Sequence, residues 1–424
     1  MKKTSIFSLF LIATSIMITS LTGCDKSSTQ ESDLQKITLY TPIFKSLTEV
    51  RADIKSAHAE PLEATGKIYL FGNYIFLNEV NKGIHIIDNS NPRKPKNMSF
   101  INIPGNLDIA AQGDYLYADS YGDMIVLNIS NPASIKVANI VEKAFGDRAF
   151  YYRHNNSSNP DSVMIVAGYA KKDTMVEMGS NAWKTDFMAR DNSGAISMAS
   201  ASLAKGTGGS MARFTIVNDY LYTVSSSSLS SFSISTPQAP KLKHVSNMGW
   251  GIETIYPFKN RLFIGSNAGM YIYDIATPAT PAKLGQISHV RSCDPVVADD
   301  DHAFVTLRSG SQCAGYTNQL EVLDVKNLMQ PVRLKVYPMA NPHGLSKDGN
   351  LLFICDGKAG LKLYNTSNLM NLKKIKEIGG LDTYDVIAQN DIAIVIARDG
   401  LYQYDYRIPA NTHLISKLLI SNPN

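Results

Sequence analysis

Residues 274–284 read "DIATPATPAKL". Shorter or looser forms of this phrase lie at 88–97 ("DNSNPRKPKN"), 128–135 ("NISNPASI"), 233–242 ("SISTPQAPKL"), 324–331 ("DVKNLMQP"), 365–372 ("NTSNLMNL") and 405–412 ("DYRIPANT"), each directly after an apolar run. Their first residues are Asp88, Asn128, Ser233, Asp274, Asp324, Asn365 and Asp405, at intervals of 40, 105, 41, 50, 41 and 40. A period near 40 residues marks propeller blades or a comparable solenoid.

The content of one period decides between them. In 252–290, "ETIYPF", "RLFIGS", "MYIYDI" and "KLGQISHV" are four short β-rich runs with turn residues at each join, and residues 107–144 repeat the order. Four antiparallel strands and no helix per repeat make a propeller blade. The phrase is then the turn from the third strand to the fourth. Asp, Asn and Ser start it by bonding the local backbone, and the first Pro fixes φ. The second Pro opens the outermost strand, where a missing N–H is tolerated and discourages pairing with other chains. Seven copies predict an all-β, seven-bladed β-propeller over residues 61–424.

The third strands read "GIHIID", "DMIVLNI", "LSSFSI", "GMYIYDI", "QLEVLDV", "GLKLYNT" and "GLYQYDY". They resemble the LVIVD repeat of bacterial cell-surface propeller proteins, over residues 66–406. The third copy departs most, having lost its Gly and Asp. The resemblance implies a surface or envelope propeller and brings no activity with it.

The 105-residue interval is read as an insertion at 147–212 between blades 2 and 3. "RAFYYRH" and "SVMIVAGYA" predict an extended hairpin, and the Ser-, Ala- and Gly-rich remainder predicts a flexible loop. Loops this long are usually functional or disordered. "KGTGGS" at 205–210 has the glycines of a phosphate loop without the following Lys-Ser/Thr, and reads as linker.

At the start of the chain, Lys2 and Lys3 precede an apolar run, residues 6–21, that is too short for a membrane span. The run ends in "LTGC", which resembles the lipobox of bacterial lipoproteins, with Cys24 as the lipidated residue. Residues 1–23 are thus expected to be a lipoprotein signal peptide. A diacylglyceryl group and palmitate on Cys24 would anchor the chain, and residues 24–60 are expected to be a flexible tether. An outer-membrane or surface position in a bacterial envelope is expected, although Asp25 resembles an enteric inner-membrane signal. Removing residues 1–23 takes away Lys2 and Lys3 and no acid, so the formal charge falls from +4 to +2. With basic residues scattered, nothing suggests a nucleic-acid partner.

Cys293 begins the first strand of blade 5 and Cys313 follows its second. Two antiparallel strands bring such positions to one rim, so a disulfide is geometrically reasonable in an oxidising envelope. Cys355, in "LLFICDG", reads as a small buried apolar residue.

Propellers place function at the central channel or on the loops around its mouth. The starts of the first strands give Asp108, Arg213, Glu253, Asp294, His343 and Asp385 as candidate channel-mouth ligands. Four acids against one Arg and one His point to a divalent cation or a hydroxyl-rich ligand; the alternative is a hydrated channel whose polar groups pair with one another. No catalytic residues are assigned and no cofactor is implied with any force. A sialidase needs several Arg and an Asp box, which is absent; a quinone-dependent dehydrogenase needs a Trp in each blade, and the chain has two Trp. Hydrolase, metalloprotease and phosphate-loop motifs are missing. Asp299 to Asp301 fit a solvated turn. The composition leaves two functions: a monomeric, lipid-anchored module binding a protein or glycan, or a hydrolase or lyase acting on a small substrate at the channel mouth.

Overall fold

The computed structural model describes residues 34–132, 134–145, 151–153, 163–177, 199–200, 206–289, 295–310 and 317–421. Cys24, Cys293, Asp294 and Cys313 lie outside the described residues, and so do the lipidation and disulfide expectations that rest on them. The chain forms two units, residues 1–41 with 169–190 and residues 42–168 with 191–424.

The larger unit contains seven blades of four antiparallel strands among the described residues. Blade 4 is typical, with strands Ile252–Phe258, Arg261–Ser266, Gly269–Asp274 and Ala282–Ser288. The turn phrase behaves as its chemistry requires. The side-chain oxygen of Asp88, Asn128, Asp274, Asp324, Asn365 or Asp405 accepts a hydrogen bond from the backbone N–H two residues on, at 2.8–3.1 Å. Ser233 departs, its hydroxyl lying 3.1 Å from that of Ser235. Pro95, Pro240, Pro281 and Pro331 each sit one residue before an outermost strand.

The middle strands are buried on both faces because each blade is roofed by the next. Ile264 of blade 4 packs with Val224 and Leu229 of blade 3, while Phe263 packs with Val296 and Val305 of blade 5. Blades 7 and 1 close the ring with Ile387, Ile394 and Leu401 against Ile68, Ile75 and Leu77. All four strands of blade 7 come from the end of the chain, so closure relies on packing and side-chain bonds. The Asn89 and Gln403 amides exchange bonds of 2.7 and 3.0 Å, and the Ser421 N–H donates to the Leu62 carbonyl at 2.7 Å.

Blade 1 belongs to a seven-stranded sheet, and its extra strands correct two expectations. The tether proposed for 24–60 contains structure: Leu34–Ser46 and Lys55–His58 are strands and Leu47–Ala52 is a helix. Ser46 and Glu49 form a capping box that starts the helix. Strand Lys55–His58 covers the outer edge of blade 1 by pairing with Ser99–Asn102. Arg51 reaches the buried Asp123 of blade 2 at 2.7 Å and Glu142 at 3.0 Å.

The second correction concerns 147–212. The expected hairpin is present, with Tyr151–Arg153 antiparallel to Val163–Ile165. The loop expected to be flexible contains two strands: Val163–Glu177 runs well past residue 170, and Thr207–Ser210 lies within the stretch read as linker. Strand Thr207–Ser210 pairs through Thr207 and Gly208 with Leu70 and Tyr69, on the inner edge of blade 1. In the small unit, Asp173 pairs with Lys36 at 2.6 Å and accepts from Thr38 at 2.8 Å, while the Lys171 ammonium lies over the Tyr40 ring.

Candidate functional site

The strand registers define which residues occupy equivalent places around the channel. Taking, in each inner strand, the residue just before the partner of Leu77, Ala118, Thr223, Ile264, Val305, Ile354 or Val395 gives Lys67, Asp108, Arg213, Thr254, Pro295, Gly344 and Asp385. Asp108, Arg213 and Asp385 were legible in the sequence. Glu253 and His343 stand one position earlier in the chain than the ring residues of their blades, and Asp294 lies outside the described residues. A step of one residue reverses the face of a strand, and Glu253 falls at the bulge between Ile252 and Thr254.

Lys67 is the member that the sequence reading missed. A usable signal was there: Lys67 lies 21 residues before Asp88, as Asp108 lies 20 before Asn128 and Asp385 20 before Asp405. Its ammonium pairs with Asp108, and both side chains are buried. Burial pulls Lys67 down to about 8 and pushes Asp108 up, while each serves as the other's counter-ion. Asp108 also accepts the Arg213 backbone N–H at 2.6 Å and the Ile109 N–H at 2.9 Å. Behind it, Asp119 accepts the backbone N–H groups of Leu107 and Asp108 at 2.7 and 2.8 Å.

Among the described residues at these places, Lys67 and Arg213 stand with Asp108 and Asp385. His343 adds no cation. Burial, and after it the Arg308 guanidinium, depress its imidazole to about 3, and it sits edge-on to the Tyr384 ring at 5.2 Å. Among the described residues, no three His, Cys, Asp or Glu side chains group as a metal site. Asp299 is a turn residue as expected, accepting from the N–H groups of Asp301 and His302 at 3.0 and 2.9 Å. Cys355 is fully buried, and burial pushes its thiol up.

Strand Thr207–Ser210 fills the space beside Asp385. A Cβ at Gly209 would lie 1.8 Å from Asp385 Oδ2, and one at Gly344 would lie 2.1 Å from Oδ1. Backbone thus contacts both carboxylate oxygens, and glycine is the residue that allows it. A Cβ at Gly206 would likewise fall 1.8 Å from the Tyr69 ring. Ser210 fixes the strand, its hydroxyl accepting the Leu345 N–H at 2.6 Å. Burial raises Asp385 to about 7, opposed by the Val386 N–H and the Lys67 charge, and Oδ2 has no hydrogen-bond partner among the described residues.

These features define a seven-bladed β-propeller whose channel is occupied by its own chain. Within that class it carries LVIVD repeats: the LVIVD repeat family matches residues 64–102 and 106–142, which are blades 1 and 2. No curated protein matches the chain. Among solved structures, it is similar to a protein from Lactobacillus plantarum (13% identity, TM-score 0.55, covering 84% of this chain and 97% of that one). It is also similar to Sqt1 of Saccharomyces cerevisiae (11%, TM-score 0.53, 86% and 88%) and to the computationally designed Ika8 protein (10%, TM-score 0.50, 86% and 89%). At these identities the likeness is one of fold.

Proposed function

We propose that the chain is a lipid-anchored envelope propeller that binds a protein or glycan partner on its loops and blade surfaces. The observation that carries this reading is the filled channel. Gly209 and Gly344 backbone closes on Asp385, and Lys67 is the counter-ion of Asp108. The place where propellers commonly hold a small ligand is taken by the protein itself, which leaves the outer surfaces for recognition. The lipobox-like "LTGC" supports the anchor: Cys24→Ser is expected to release the protein from the membrane fraction or to block processing of the signal. Unchanged retention with normal processing counts against it.

The second reading, an enzyme of the hydrolase or lyase class at the channel mouth, has one observation in its favour: the buried, unpartnered Oδ2 of Asp385. A substrate could reach it only if strand Thr207–Ser210 withdrew. The two readings separate in a cross-linking capture from envelope extracts with wild type and Asp385→Asn. Equal capture by both supports the binding module, and loss of capture in Asp385→Asn moves function to the channel.

A further inference from the structure

Blade 3 departs from the repeat in a way the fold does not require. Three residues before each turn residue, the third strand pairs with the second through side chains on one face. In blade 4 the pair is Ile264 with Tyr271, in blade 7 Val395 with Tyr402, and the remaining blades each carry at least one large side chain there. Blade 3 has Thr223 with Ser230. Two small hydroxyls leave space where its neighbours are filled, and a cleft of about 400 Å³ opens between blade 3 and the end of blade 2.

The rows of the sheet give the wall its chemistry. Thr223, Ser230 and Val245 form one row, and Ser225, Ser228 and Asn247 the next. Phe145 of blade 2 supplies apolar surface opposite, itself packed on Phe214 at 5.3 Å. Thr223 and Ser230 are 3% and 9% exposed, and both line the cleft. A side-chain hydroxyl both donates and accepts, so each can bond a ligand held there.

Beyond Asn247 the chain leads to Trp250, whose indole is 83% exposed. Its loop is tightly held. The Met248 and Gly251 N–H groups donate to the Ser227 and Ser226 carbonyls at 2.8 and 2.9 Å, and the Gly249 N–H donates to Asn247 Oδ1 at 3.0 Å. Gly249 and Gly251 take φ values of 86° and 87°, which favour glycine. A large aromatic ring is presented to solvent on a fixed loop that shares Ser227 and Asn247 with the cleft.

We infer that the blade 2–blade 3 cleft, with Trp250 beyond it, binds a neutral oligosaccharide. Hydroxyls and an amide donate and accept without charge, as sugar hydroxyls do. Val245 and Phe145 suit the C–H faces of the rings, and an exposed indole is a stacking platform. Among the described residues, Lys143 is the one charged side chain lining the cleft, which argues against an anionic ligand.

This rests on the binding-module reading and names its ligand. The test is titration of the full mature chain in detergent with cellohexaose, chitohexaose and maltohexaose, followed by Trp fluorescence and calorimetry. At least one sugar is expected to bind saturably. Thr223→Ile with Ser230→Tyr restores the pair of blade 4 and so fills the cleft with side chains the fold already accommodates; it is expected to weaken binding at least tenfold with an unchanged melting curve. Trp250→Ala is expected to weaken it as well, read by calorimetry. No binding of any of the three sugars, or binding that survives the filled cleft, overturns the assignment. If no sugar binds and the filled-cleft variant still captures an envelope protein as wild type does, the glycan is overturned and the binding module stands.

Discussion

Gly209 and Asp385 are 176 residues apart in sequence, yet a side chain on the first would collide with the carboxylate of the second, at 1.8 Å from Oδ2. The insertion after blade 2 is thereby locked into the channel against blade 7. The contact ties the least repetitive part of the chain to the most regular part.

Gly209→Ala forces the channel strand away from Asp385. Overpacking of this kind costs about 1–3 kcal/mol, and a urea melt is expected to show a loss in that range. Gly310→Ala, where an added Cβ meets nothing within 4 Å among the described residues, serves as the control, with a change of about 0.5 kcal/mol or less. Equal effects at the two positions would refute the packing account.

Asp385 links stability to pH. In the fold its pKa is raised from 3.8 to about 7. Between those values the unfolded chain releases a proton that the folded chain retains. The contribution is therefore fully present below about 3.8, falls as pH rises to about 7 and is level above that, at up to about 1.4 kcal/mol per pH unit. Asp385→Asn does not titrate, so its stability relative to wild type is expected to climb between pH 4.5 and pH 7.5 in denaturant titrations. A difference that stays flat across that range contradicts the burial of the acid.

Lys67→Met leaves Asp108 buried without its ammonium partner. Breaking a buried pair from one side costs about 3–5 kcal/mol. In Lys67→Met with Asp108→Asn, much of this is expected to return, because a neutral amide needs no counter-ion. A double-mutant cycle should give a coupling of about 2 kcal/mol or more; additivity of the two single changes would mean that the pair is not formed.

The segment before blade 1 can be tested by truncation. Deletion through His58 removes the strand paired with Ser99–Asn102 and the Arg51–Asp123 contact, and is expected to lower the melting temperature by several degrees. Arg51→Ala alone should cost about 1–3 kcal/mol, as loss of charged hydrogen bonds does.

Thiol titration of the denatured, unreduced mature chain addresses the cysteine pairing. If Cys293 and Cys313 are bonded and Cys24 carries lipid, one thiol is expected, that of Cys355; three thiols would show the pair to be open.

The sequence by itself determined the number of blades, the order of their strands and the turn that joins the third to the fourth. These depend on local chemistry: an Asp or Asn oxygen reaching the N–H two residues on, a Pro where an edge strand starts, and apolar runs of strand length. Period and pattern were enough. Only the tertiary structure decided what occupies the channel and which charges meet there. Lys67 finds Asp108 in the next blade, and Glu253 and His343 stand one residue before the ring places of their blades, an offset that composition does not reveal. The glycines of 206–209 looked like linker because the partners that require them, Tyr69 and Asp385, lie far away along the chain. Contacts at such separations carry no periodic trace in sequence; they exist only once the ring has closed and the inserted strand has entered it.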